Sequence, residues 1–269
     1  MKYVVLICAR NEEKYIASCL ASIYFQTCPP ELVVVVNDGS KDETFNRARE
    51  FNERLPLTIL HKEDRGFSAT GTALMADTYN LGLEYLSSFK WDFILILGAD
   101  TSIPPNYVDF LWQSMNSKKG AVSGRYTFTS EKYAAASGRF IRREIIDELG
   151  GSLPRTYAWE SSVIYCSEWM GYENRSFPIP IYNLRPGGQG KRSGIGLGRG
   201  VKEIGYYWPN VLYKAFLEAK KGNIKVSIEI IYGYITHKPQ TPLPEWAQFI
   251  NEQQKKSFKQ KLRRIIQWY

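Results

Sequence analysis

The sequence predicts an α/β fold: a mostly parallel central sheet with flanking helices, followed by a helical C-terminal extension. Three observations predict it. Continuous apolar runs at residues 3–8, 32–36 and 93–97 have the length and side chains of strands buried on both faces. Segments with apolar residues at intervals of three and four lie between the runs, so strand and helix alternate as in βαβ units. Finally, an acid follows the second and third of these runs within a few residues, Asp38 and then Asp100. Ligands of open α/β sheets bind beyond the carboxyl ends of the strands.

Taken in order, the first strand leads to Asn11, whose short polar side chain suits a helix N-cap, with Glu12 and Glu13 in the first turn. Ile16, Leu20 and Ile23 continue at helical spacing until Cys28-Pro29-Pro30 ends the helix. The second strand stops at Asn37-Asp38-Gly39-Ser40, and Ser40 with Glu43 has the spacing of a capping box for a helix through Phe45, Ala48 and Phe51. A third strand at 57–61 and a helix over 69–86 precede the strand at 93–97. Asp100 then either caps the next turn or offers an oxygen ligand to a hard divalent cation. Beyond it the pattern predicts a helix over 106–115 and extended chain over 121–128. An amphipathic helix is expected over 138–151, with Phe140, Ile141, Ile145 and Leu149 on one face. Pro178 and Pro180, lacking donors, mark 177–184 as an edge-type strand.

The 269 residues are 44% hydrophobic, enough for one large domain or two small ones and too apolar for wholesale disorder. Net charge is +8, and from Lys238 onward seven Lys or Arg face two Glu. A basic tail on a balanced body suggests an anionic surface for the tail rather than nucleic acid along the whole chain. Residues 245–269 place Trp246, Phe249, Ile250, Phe258 and Leu262 at helical spacing among lysines and arginines. Such a helix fits an anionic bilayer, or packs on the domain with a solvated basic face. Cys8, Cys19, Cys28 and Cys166 lack metal-type spacing, so zinc is not expected and buried thiols in a reducing compartment are. No leader precedes the first strand and no apolar run approaches a bilayer span; the expectation is a cytoplasmic protein, peripheral at most to the inner face of the cell membrane.

Four stretches carry a resemblance: Val5-Leu-Ile-Cys-Ala-Arg-Asn-Glu-Glu13, Val35-Val-Asn-Asp38-Gly-Ser-Lys-Asp42, Met75-Ala-Asp-Thr-Tyr-Asn80-Leu-Gly82 and Ile96-Leu-Gly-Ala-Asp100-Thr101. In this order and spacing the chain resembles the family 2 glycosyltransferases of the GT-A fold, over roughly the first 185 residues. The resemblance implies a nucleotide-sugar-binding and catalytic domain at 1–186, a Gly-rich mobile loop at 187–200 and a helical extension at 201–269. It implies that Ala9, Arg10, Asn11, Glu12, Asp38, Arg65, Asn80, Ala99 and Asp100 line the donor site. Asp38 would accept a hydrogen bond from the base, commonly uracil, while Arg65 and Asn80 lie near the diphosphate and sugar. Asp100 would touch Mn²⁺ or Mg²⁺, although Gly98 stands where the family's metal motif has its first acid. Counting eleven residues back from Gly171 gives Glu160 as the general base, in a Trp159-Glu160 pair where the family usually has Glu-Asp. Partial desolvation beside Trp159 suits a base; a first-turn glutamate favoured by the helix dipole is the competing reading. Seven glycines among residues 187–200 accompany Lys191, Arg192 and Arg199, which either close over a diphosphate or sit in a plain linker.

The implied activity is inverting, metal-assisted transfer from a UDP-sugar to a hydroxyl of a glycan or lipid-linked acceptor, with no nucleic-acid partner. A nucleotidyltransferase is the alternative, though Ala9-Arg10-Asn11-Glu12 fills the place of its usual glycine-rich loop. A non-catalytic nucleotide-binding or membrane-docking protein is the third reading.

Overall fold

The structure, a computed structural model, describes residues 1–126, 137–185, 193–239 and 243–266, with side chains described through residue 259. The chain runs β1 (Tyr3–Ala9), α1 (Ile16–Tyr24), β2 (Leu32–Asp38), α2 (Thr44–Arg49), β3 (Leu57–Lys62), α3 (Leu74–Leu86), β4 (Phe93–Gly98), β5 (Thr101–Ser102) and α4 (Tyr107–Ser114). It continues through β6 (Lys119–Tyr126), β7 (Arg139–Arg142), α5 (Arg143–Glu148), α6 (Trp159–Trp169) and β8 (Glu173–Asn183). Four helices follow: α7 (Gly194–Glu203), α8 (Trp208–Lys220), α9 (Ile224–Thr236) and α10 (Glu245–Ile266).

One sheet has the order β3-β2-β1-β4-β7-β6-β8-β5. Its first four strands are mutually parallel, β7 is antiparallel to β4 and β6, and β8 is parallel to β6. Every residue of β1 is buried because its side chains alternate between two cores. Val5 and Ile7 meet Ile16, Leu20 and Leu111 on one face; Val4 and Leu6 meet Ala76, Leu83 and Val163 on the other. Cys8 lies opposite both Val36 and Gly98, so β2, β1 and β4 end level. That level edge positions the site.

Several local expectations change. Residues 138–151 are not one helix: β7 pairs with β4 and only then does α5 begin. Extended chain lets Phe140 stack on Phe93 (4.9 Å between centroids) in one core while Ile141 enters the other, which a single helix face does not allow. Asn11 is not an N-cap. Its φ is 55°, its Oδ1 accepts from the Lys41 N–H at 2.9 Å, and α1 starts only at Ile16. Nor does the Ser40/Glu43 capping box form, since Ser40 Oγ accepts from the Asn11 N–H at 3.0 Å and Asp42 Oδ1 accepts from the Thr44 N–H at 3.1 Å. The helix expected from 69 begins at Leu74.

The mobile loop expected over 187–200 is corrected in its second half. Residues 186–192, with Lys191 and Arg192, lie outside the described residues, but Gly194–Glu203 is helix. Its glycines face backbone: a Cβ on Gly200 would sit 3.0–3.2 Å from Tyr157 and Ala158, and one on Gly194 2.7 Å from the Val226 carbonyl. Close packing on two sides, not mobility, accounts for this composition. In α10, Trp246 and Ala247 join the domain core and Ile250 is buried, so the first half of that helix packs on the body. Among the described residues no helix is long and apolar enough to cross a membrane.

Candidate functional site

Because β2, β1 and β4 end level, Asp38 closes β2 on one side of the β1 terminus and Asp100 follows β4 by two residues on the other. The turn after β1 runs between them and is fastened to the turn after β2. The Asn11 N–H donates to Ser40 Oγ, and the Glu12 N–H donates to Thr44 Oγ1 at 2.7 Å.

Asp38 is almost fully buried, at 3% exposure. Its Oδ1 pairs with Arg65 and accepts from Thr78 Oγ1 at 3.0 Å. Arg10 donates to the Asp38 carbonyl and pairs with Asp64, which also holds Lys41 Nζ at 2.8 Å. Hydrogen bonds from Lys41 and Arg10 keep the Asp64 carboxyl well below the usual carboxylate range.

Around Asp100 the wiring differs. Arg185, two residues beyond β8, donates from Nε to Asp100 Oδ2 at 3.0 Å, pairs with Glu12, and lies 5.2 Å over the Tyr15 ring. Glu12 Oε2 is buried and, among the described residues, has no hydrogen-bond partner. Burial pushes the Glu12 carboxyl up to about 7; Arg185 opposes this, and the Asp100 and Asp42 charges add to it. Gly98 fits its place tightly. Its N–H donates to Ser137 Oγ at 2.8 Å, and a Cβ there would lie 3.0 Å from Asp100 Oδ1 and 3.1 Å from Thr101 Oγ1. Those hydroxyls occupy the room that the missing first acid would need.

Glu160 is the second residue of α6. Arg139 in β7, opposite Ile96 of β4, donates from Nη1 to the Glu160 carbonyl at 2.8 Å, tying the start of α6 to the end of β4. Tyr79 of α3 stacks 4.8 Å from Trp159. Its phenol is pushed up by burial first, then by the Cys8, Glu160 and Asp100 charges. Through these contacts the start of α6 lies against α3 and β7.

Of the remaining expected residues, Ala9 ends β1 and Ala99 is buried between Gly98 and Asp100. The Asn80 side chain is already engaged. Its side-chain amide donates to the Leu153 carbonyl at 2.9 Å and accepts from the Leu153 N–H at 2.7 Å, so it clamps the segment before α6. Arg199 lies in α7 rather than in a loop. The sequence reading missed Thr78, Asp64, Arg139, Ser137 and Arg185. Thr78 falls inside the Met75–Gly82 stretch, where a polar residue on a largely apolar helix was the available signal; the others carry none.

The residues present fit a divalent cation. Among the described residues no three His, Cys, Asp or Glu gather to cage a metal. Mg²⁺-type sites, however, use one or two carboxylates plus substrate phosphates. Asp100 and Glu12 share one guanidinium, and Glu12 keeps a buried oxygen without a hydrogen-bond partner among the described residues. A cavity of about 600 Å³ between Glu148, Arg155, Glu203 and Trp246 shares no residue with this set.

Comparison with known proteins agrees with this geometry. "Glycosyltransferase GlyA" of Streptococcus pneumoniae is 29% identical over 134 residues, 49% of this chain and 18% of its own length. "Putative glycosyltransferase EpsH" of Bacillus subtilis is 27% identical over 123 residues, 45% of this chain and 33% of its own. The chain spans well under half the length of either relative. Among solved structures, S. aureus TarS 1-349 in complex with UDP-GlcNAc superposes with a TM-score of 0.56 at 15% identity, covering 75% of this chain and 65% of that one. The mannosyltransferase PcManGT from Pyrobaculum calidifontis, in complex with GDP-Man and Mn²⁺, gives 0.55 at 22% identity, covering 75% and 62%. These likenesses show the fold, GT-A. The family model described as "Glycosyl transferase family 2" matches residues 4–171, more than half of the chain, and the chain belongs to that family.

Proposed function

We propose that the chain is an inverting glycosyltransferase that moves a sugar from a nucleoside diphosphate sugar, a UDP-sugar in the favoured reading, to the hydroxyl of a glycan or lipid-linked acceptor. One observation carries the reading: Asp38 and Asp100 follow the strands on either side of β1, and Arg139 of β7, paired beside β4, holds the backbone of Glu160 at the start of α6. TarS with UDP-GlcNAc and PcManGT with GDP-Man support a nucleotide-sugar donor. The turn after β1, fastened at Asn11 and Glu12, supports this reading over a nucleotidyltransferase, which needs a glycine-rich loop there.

Asp38, held by Arg65 and Thr78, recognises the base, and Arg10 stiffens the pocket through Asp64. Asp100, with Glu12 beside it, would hold Mn²⁺ or Mg²⁺. The bound cation would offset charge on the leaving diphosphate. Glu160 takes the proton from the acceptor hydroxyl as its oxygen attacks the anomeric carbon from the face opposite the leaving group. One displacement inverts the configuration. Arg139, bonded to the Glu160 carbonyl, and the Trp159 ring fix the start of α6 so that this carboxylate keeps its aim.

The test is Glu160→Gln, assayed with Mn²⁺ and a panel of nucleotide sugars. Turnover is expected to fall by about 10² or more, while UDP affinity, read by thermal shift or calorimetry, stays near wild type. Normal turnover by the variant would refute the assignment. Pyrophosphate release from a nucleoside triphosphate would refute the reaction class.

A further inference from the structure

The charge of the chain is concentrated at one end: residues 201–269 hold twelve Lys and Arg against five Glu, a net +7 of the total +8. The same segment holds exposed apolar surface. Of fifteen large apolar side chains exposed among the described residues, eight fall between Trp208 and Ile235, the last of them 72% exposed. Scattered single exposures are ordinary; a contiguous set marks an interaction surface.

These residues form two stripes. Helix α8 presents Trp208, Leu212 and Phe216 at steps of four, and α9 presents Ile224, Ile228, Tyr232 and Ile235. Only Lys221-Gly222-Asn223 joins the helices, with Gly222 at φ 86°, so they form an antiparallel hairpin. Its seam is Val211 and Ala215 of α8 against Ile230 of α9. At about 100° per residue the α8 stripe lies roughly a quarter-turn from that seam, and the α9 stripe nearly half a turn from Ile230. Antiparallel helices advance in opposite senses when viewed from one end, so both stripes turn toward the same side of the hairpin, with that of α9 carried further round onto its outer surface. The inner side is already used: Gly194 and Gly198 of α7 abut the α9 backbone at Val226, Ile230 and Gly233.

We propose that the outer face of the α8–α9 hairpin docks on a bilayer surface containing anionic phospholipid, with these apolar side chains buried at the headgroup boundary. Charge selects this occupant over a second copy of the chain. Lys214, Lys220, Lys221, Lys225 and Lys238 are exposed on or beside the hairpin, and Glu218 is paired with Lys221. Two such faces would bring like charges together, whereas anionic lipid complements them. Trp208, Tyr213 and Tyr232 are the ring types that settle at headgroup depth. No described helix spans a bilayer, which fits a hairpin lying in the interface. The anchor expected from the sequence, the apolar side of α10, is spent at Trp246 and Ala247 on the domain core, with Ile250 buried as well.

Flotation of the full chain with vesicles tests the proposal. Wild type is expected to float with phosphatidylcholine vesicles containing phosphatidylglycerol and not with phosphatidylcholine alone, with a blue shift of tryptophan emission. The double variant Leu212→Gln, Ile228→Gln should lose about tenfold or more of the bound fraction while its thermal unfolding matches wild type, both sites being exposed. Lys220→Glu with Lys225→Glu should weaken binding and its salt dependence. Failure of wild type to float, equal binding to neutral vesicles, or flotation of the double variant at wild-type level would each overturn the proposal. So would a wild-type dimer in sedimentation that the double variant dissociates, because a second copy would then own the face.

Discussion

Asp38 and Asp100 close the two strands flanking β1, yet they are held in opposite ways. Asp38 is buried, and its bonds come from Arg65 and Thr78, which precede α3 and lie within it, parts of the first half of the chain. The Asp100 side chain is 28% exposed and is held by Arg185, beside a glutamate oxygen that has no partner among the described residues. The first acid is a finished part of the fold. The second is a site left for something else to complete. A group that must recognise the same feature each time benefits from preorganisation.

The largest effect should come from breaking the finished side. Asp38→Ala strands the Arg65 guanidinium in a buried pair whose side chains are 5% and 18% exposed, and removing one member of such a pair costs about 3–5 kcal/mol. Urea unfolding should show that loss, and UDP binding should weaken with it. A variant as stable as wild type would mean that Asp38 is not locked. Asp100→Asn should do the reverse: stability within about 1 kcal/mol, but turnover lower by about a hundredfold. If Asp100→Asn unfolds the protein instead, the contrast between the two acids fails.

The same contrast explains what the sequence made legible. Strands buried on both faces announce themselves as apolar runs, so β1, β2 and β4 and the acids after them could be read directly. Strand β7 could not, because Arg139 and Arg142 bracket Phe140-Ile141 and the helix α5 follows without a break. The glycines of α7 read as a loop because their purpose, contact with Tyr157, Ala158 and α9, depends on chain distant in sequence. Asn80 was assigned to the donor by its motif, yet its amide is consumed by Leu153, 73 residues away. Arg185 had no local signal either; its role exists only once β8 brings it to Asp100.

Replacing that arginine sharpens the comparison with a smaller effect. Its side chain is 42% exposed, so Arg185→Gln should change stability by less than about 1 kcal/mol. Freed from the guanidinium, Asp100 and Glu12 should bind Mn²⁺ several-fold more tightly, on the order of 1 kcal/mol, as read by calorimetry in the presence of UDP. Weaker Mn²⁺ binding would show that Arg185 supports the site rather than occupying it.

The smallest effect concerns the clip between the two turns. Burial raises the Asp42 carboxyl, but hydrogen bonds from the Thr44 side chain and from the Glu13 and Thr44 N–H groups outweigh it, and the net shift is downward. A carboxyl depressed in the folded state stabilises the fold above its unfolded pKa, and that contribution is lost as pH falls through the folded value. Asp42→Asn keeps the Oδ1 acceptor for Thr44 and removes the charge together with the Oδ2 acceptor of the Glu13 N–H. The group is largely solvated, so the difference at neutral pH should be no more than about 0.5 kcal/mol. Because every other carboxylate titrates equally in both proteins, the readout is the gap between their melting temperatures. It should be open at pH 7 and close on acidification below about 4. A gap that persists in acid would mean that shape, not charge, holds the turn after β1 against the turn after β2, and that the finished side of the edge owes its rigidity to packing.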